Sequence, residues 1–229
     1  MNANCNLSPL LFLGCLVAVA AHPGTTLVAD LVYAKDGSGV YGYKDTPKLP
    51  WCQWMVHDPD RPAAKRIDPG TAGAPAPVPS DTIVLFDGKD VSHWQPLKDW
   101  KVADGYLISG DTDLATKESF GDIQLHVEWV EPAGFEGPWY NRGNNGVMLM
   151  DLYEIQIFDS FNEKIYPDGQ CAAIYGQTPP LVNSSHPPGH GETGHRILPE
   201  YKHKVSRGPL GFGGHGCPIR FRNLWLRPL

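Results

Sequence analysis

Positive charge is missing from the start of this chain: no Lys or Arg precedes Lys35. Further on, the 19 Lys and Arg are dispersed, and the net charge is −6. That excludes the basic footprint of a nucleic-acid binder. Cysteine is scarce, and the spacing of Cys52, Cys171 and Cys217 fits no zinc motif. If residues 1–21, with Cys5 and Cys15, are removed as a leader, these three remain, and an odd number leaves at least one free or paired outside the chain. A long apolar run is also lacking. The run from Ser8 to Ala21 is too short to cross a bilayer as a stable helix. No window holds a helical period with caps, and no internal repeat is visible.

What is abundant is Gly and Pro, at 25 and 22 residues. They favour turns and extended segments over long helices. Residues 1–21 read as an export leader, with small residues at Ala18-Val19-Ala20 resembling a cleavage site. A buried N-terminal helix is the alternative. Leu13-Gly14-Cys15 hints at a lipid anchor, although Cys15 lies inside the apolar run. The expected location is therefore secreted, periplasmic or at the cell surface, with no transmembrane segment beyond the leader. Residues 22–80 form an irregular extension: an aromatic stretch, then a Pro/Ala/Gly-rich strap from Arg61 to Ser80. Residues 81–229 carry the regular patterning.

Strand signals dominate that region. Thr82 to Phe86 is a β-rich run ended by Asp87-Gly88. Trp100 to Ile108 reads as a hairpin turning at Asp104-Gly105. Ile123 to Trp129 alternates strictly, with Ile123, Leu125, Val127 and Trp129 opposite Gln124, His126 and Glu128. Tyr153 to Phe158 alternates again, setting Glu154 and Gln156 outward. In Ile219 to Leu226 the phase changes at Asn223, which predicts a bulge or bend. Short strands between Gly, Pro, Asn and Asp turns predict an all-β antiparallel sandwich or barrel.

The polar positions Gln124, His126, Glu128, Glu154 and Gln156 suggest one sheet face suited to hydroxyl recognition or acid/base work. A merely solvated face is the alternative. Between the two strands, Trp139 and Tyr140 offer a platform for a sugar ring, and Arg142 and Asn144 offer donors to its oxygens. A loop capping the core is the alternative there. His186, His190, His195 and His203 form a His-rich stretch without helical spacing, and metal binding is one reading of it. His215, set among glycines, is placed to project into a cleft.

Taken in order, several segments resemble the 3-keto-disaccharide hydrolase family. They are Leu85 to Asp90, Thr116-Lys117 with Phe120 to Asp122, Gln124 to Trp129, Arg142 to Val147, Tyr153 to Gln156 and Tyr166 to Gln170. Ala173 to Gln177, Pro179 to Asn183 and His215 to Asn223 complete the set. The stretch Trp54-Met55-Val56-His57-Asp58 also resembles the N-terminal extension of many members. The resemblance implies a concanavalin-like jelly-roll β-sandwich, export, and action on glycosides oxidised at C3. On that chemistry, Glu154 and His215 are the candidate acid/base pair, with substrate contacts expected from Lys117, Gln124, His126, Glu128, Trp139, Arg142, Asn144, Gln156 and Tyr175. No cofactor is certain; a divalent metal ion is one option, and the partner is an oxidised sugar or glycoside. A non-catalytic carbohydrate-binding module of the same fold is the alternative function.

One departure stands out. After Gly189 the chain reaches its closing strand through a short run, where the family pattern continues with further strands. The expectation is a trimmed sandwich with exposed edges.

Overall fold

The computed structural model describes residues 30–134, 139–189, 191–197 and 205–229, the side chains of Trp139 and of 191–197 excepted. The expected leader at 1–21 lies outside the described residues. Among those residues there is no α-helix, only two short 3-10 turns, Trp139–Asn141 and Pro167–Gly169. In chain order the strands begin with β1 (Val32–Tyr33), β2 (Tyr41–Gly42), β3 (Lys65–Arg66), β4 (Ile83–Phe86), β5 (Lys101–Ala103), β6 (Tyr106–Ile108) and β7 (Leu114–Phe120). They continue with β8 (Ile123–Val130), β9 (Asn145–Leu149), β10 (Tyr153–Ile157), β11 (Val182–Asn183), β12 (Gly191–Ile197), β13 (Gly208–Phe212) and β14 (Arg220–Pro228).

Two sheets form a β-sandwich, as the all-β pattern and the jelly-roll resemblance predict. One has the order β10-β9-β13-β7. The other runs β12-β8-β14-β6-β5, with β4 also paired to β14. Period-2 alternation explains the layering. Ile123, Leu125, Val127 and Trp129 of β8 face inward against Val147, Leu149, Ile157, Leu210 and Phe212 of the other sheet. Aromatic rings bridge the middle, with Phe212 and Phe221 centroids 4.5 Å apart and Trp94 5.5 Å from Phe212. Trp94 satisfies its buried indole N–H on the Leu85 carbonyl at 2.9 Å.

The β5–β6 hairpin turns at Asp104 and Gly105 with φ of 52° and 78°, the left-handed pair that this hairpin type requires. The bulge expected at Asn223 is present. The β14 register shifts between Arg222 and Trp225, and Asn223 adopts φ 50°.

The run after Gly189 is a correction. Two strands, β12 and β13, stand where a short irregular run was expected. β12 pairs along β8, and β13 sits between β9 and β7, so the smaller sheet is continuous. Gly- and His-rich spacing hid both strands, because β13 (GPLGF) shows little of the usual β-branched signature.

The extension of residues 30–80 wraps the sandwich. It contributes β1, β2 and β3, and β3 pairs in parallel with β11. Among the described residues, Cys52, Cys171 and Cys217 form no disulfide. No helix among the described residues is long and apolar enough to cross a membrane.

Candidate active site

The two alternating strands that suggested a single polar face lie in different sheets. Gln124, His126 and Glu128 point outward from the larger sheet. Glu154 and Gln156 point outward from the smaller one, on the opposite side of the core. The common floor expected from their shared pattern is therefore not built.

The face around β8 is closed. His126 and Glu128 are buried, because the Pro-rich strap crosses above them. The Glu128 carboxylate accepts from the Ala76 backbone N–H (2.9 Å), Asn223 Nδ2 (2.6 Å), Arg222 Nε (2.9 Å) and His126 Nε2 (3.1 Å). Burial alone would raise its pKa, but the donors, Asn223 foremost, hold it below the usual range. Trp225 stacks on His126 with centroids 4.6 Å apart and planes 5° off parallel. Gln124 accepts from Arg227 at 2.8 Å. Of these three residues, expected to contact substrate, Glu128 pins the strap to the sheet, His126 packs between Glu128 and Trp225, and Gln124 pairs with β14.

The outer face of the smaller sheet is different. Register alone assembles one row across it. Gln156 lies opposite Gly146. The Gly213 N–H donates to the Gly146 carbonyl at 3.0 Å. Phe212 pairs with Leu114, which sets Asp113 beside Gly213. Segment 172–175 extends the sheet past β10: Ile174 bridges Ile155, and the Tyr175 N–H donates to the Glu154 carbonyl at 2.9 Å. Tyr175 is thus the cross-strand neighbour of Glu154 on the outer face.

Two glycines make room for these side chains. A Cβ at Gly146 would overlap the Glu154 carboxyl, so that carboxyl lies down over the sheet. A Cβ at Gly213 would stand 3.3 Å from His215 Nε2. Glu154 and His215, the expected acid/base pair, therefore lie over hydrogen-bonded neighbouring glycines. Burial first, then the charge of Asp113, push Glu154 up to about 7. The Gln156 amide, oriented to satisfy both its atoms, donates to Glu154 Oε1 at 3.1 Å. Asn144 Oδ1 lies 3.5 Å from that amide, and Asn144 Nδ2 donates to the Tyr140 carbonyl at 2.7 Å. Burial raises the pKa of Tyr175, whose hydroxyl shares a 2.8 Å hydrogen bond with Tyr166.

Two expected contacts are engaged elsewhere. Lys117 Nζ donates to the Ser92 carbonyl at 2.8 Å on the exposed edge of β7. Arg142 pairs with Glu163 at 3.2 Å and Asp159 at 3.6 Å. It lines a separate cavity of about 190 Å³ with Glu131, Asp159 and Asn162. Trp139 opens a 3-10 turn, and its expected ring platform lies outside the described side chains. His190 and His203, and the His195 side chain, lie outside them too. Among the described residues no group of three or more His, Cys, Asp or Glu is set to hold a metal ion. Sequence reasoning missed Asp113, which sits just before a strand whose Thr-Lys-Glu-Ser stretch masked its pattern.

Residues 81–195 match the family model described as the 3-keto-alpha-glucoside-1,2-lyase-like domain. The chain belongs to this family. The match takes in Asp113, Asn144, Glu154, Gln156 and Tyr175, starts after the extension and ends before His215. A crystal structure of a "putative glycosyl hydrolase" from Parabacteroides distasonis ATCC 8503 is 31% identical, with TM-score 0.58 over 66% of this chain and 84% of that one. A second, of the same description and organism, is 18% identical, with TM-score 0.53 over 65% of this chain and 94% of that one, and shares the fold. No curated protein matches the chain.

Proposed function

We propose that this 3-keto-alpha-glucoside-1,2-lyase-like protein cleaves 3-keto-glycosides by elimination at C1 followed by hydration. The observation that carries the reading is the placing of Glu154 and His215 over the adjacent glycines Gly146 and Gly213. A keto group at C3 acidifies the proton at C2. The Glu154 carboxylate, a stronger base than an ordinary one because of its raised pKa, removes that proton. The electron pair moves onto the C3 oxygen, where the negative charge calls for a hydrogen-bond donor; Asn144 and Gln156, whose amides lie beside Glu154, supply it by turning from their present partners. Collapse of this enediolate expels the C1 substituent, which takes a proton from His215. Water then adds across the C1–C2 double bond, so the net change is hydrolysis. Family membership and the 31% identical relative support a glycoside-active enzyme. The apolar run at residues 8–21 supports export of the protein.

Sugar release from 3-keto-trehalose or 3-keto-lactose, with and without chelator, tests the reading. Wild-type protein is expected to release free sugar, and Glu154→Gln and His215→Ala to lose at least 10²-fold in kcat/KM. Intact turnover in both variants would sink the assignment.

A further inference from the structure

The extension carries a motif, Trp54-Met55-Val56-His57-Asp58, that the proposed chemistry leaves unused. The structure seats its histidine against the candidate site. The His57 backbone N–H donates to Asp168 Oδ2 at 3.0 Å, and the ring Nδ1 lies 3.4 Å from Oδ1. Asp168 is fully buried and also has Arg61 of the extension at 3.7 Å. Arg61 in turn donates to the Gln177 carbonyl at 2.9 Å. The His57 ring packs on Tyr166 with centroids 4.1 Å apart and on Tyr175 at 5.0 Å. Tyr43, also from the extension, closes the aromatic group at 6.1 Å from Tyr166. His57 holds φ 61°, a left-handed backbone that non-glycine residues adopt only where their surroundings fix it.

The chain of contacts has one direction. Residues 172–175 form the edge beside β10, and Tyr175 is the outer-face neighbour of Glu154. Whatever fixes Tyr175 fixes the wall beside the Glu154 carboxyl and the water it admits. We propose that the N-terminal extension is part of the active site, with His57 as a positioning residue that, braced on Asp168, holds Tyr175 against Glu154 and so shapes the sugar subsite.

This inference rests on the proposed elimination for its kinetic arm alone. The test uses the full-length protein with His57→Ala and with His57→Asn, which keeps both the left-handed backbone and a donor toward Asp168 but removes the ring. Two readouts are taken well below the melting midpoint of each variant. The first is the titration of Glu154 by carboxyl carbon NMR, which needs no turnover. The second is the split of kcat and KM on a 3-keto-glucoside. The expected result in both variants is a fall of Glu154 from about 7 by one unit or more, as water reaches it, with KM rising at least tenfold and kcat changing less. If wild type turns over no 3-keto-glucoside yet Glu154 shifts in the variants, the elimination fails and the role of the extension stands. A lowered melting midpoint with the Glu154 titration unmoved overturns the inference, because a merely structural clamp predicts that result.

Discussion

Glu128 and Glu154 both stand at outward positions of alternating strands, and their surroundings drive them in opposite directions. Glu128 meets four donors and stays ionised below the usual range. Glu154 meets burial and the negative Asp113, and is pushed up to about 7. The sign has a consequence for stability. A carboxyl whose folded pKa exceeds its unfolded value binds protons more tightly when folded, so its contribution is fully present below the unfolded value of 4.5 and is lost as pH rises through about 7. Glu154→Gln removes that loss. The variant is expected to be more stable than wild type at pH 8, by on the order of 1–3 kcal/mol, and to lose this advantage at pH 4. Urea unfolding at the two pH values measures it; an equal difference at both would contradict the burial of Glu154. Nothing in the residue types distinguished these two glutamates. Apart from His126, two residues away on the same strand, the donors to Glu128 come from a strap about 50 residues earlier and a strand about 95 later, contacts that a period-2 pattern does not encode.

At the scale of elements, strands with strong alternation were legible and weak ones were not. β8, β10, β14 and the β5–β6 hairpin follow from their patterns, including the bulge at Asn223. β7, β9 and β13 escaped because Gly, Asn, Lys and Ser interrupt them. The glycine that blurred β9, Gly146, is the one that admits the Glu154 carboxyl, and Gly213, just past the end of β13, lies under the His215 ring. Gly146→Ala is expected to keep the fold, since an Ala in a strand is ordinary, while displacing the carboxyl and lowering kcat about 10²-fold. Circular dichroism and turnover separate the two effects. The opposite pattern is expected at the strap. Asn223→Ala removes a donor to buried Glu128 and places a Cβ residue without an amide at φ 50°. It should cost about 2–3 kcal/mol in denaturant unfolding and leave kcat/KM unchanged, because that face lies across the core from Glu154.

At the scale of the whole molecule, the sandwich class was readable from turn spacing and the family from ordered segments. Which polar positions share a face was not, because assigning strands to sheets depends on long-range pairing. The strap buries one outer face and leaves the other open, and the aromatic stretch of the extension walls the open one beside Tyr175. Arg61→Ala should show how firmly the wrap is held. It leaves buried Asp168 without its cation and is expected to cost about 3–5 kcal/mol in thermal or urea unfolding. A loss below about 1 kcal/mol would mean that the extension is loosely attached.

Whether Glu154 is the base of an elimination on a 3-keto-glycoside is decided by the pH–rate profile of kcat/KM for wild type and Glu154→Gln on 3-keto-trehalose. The wild-type rate is expected to rise through an apparent pKa of about 7, and the variant to be at least 10²-fold slower at pH 8, with that rise gone. A variant that keeps both the rate and the rise would contradict it.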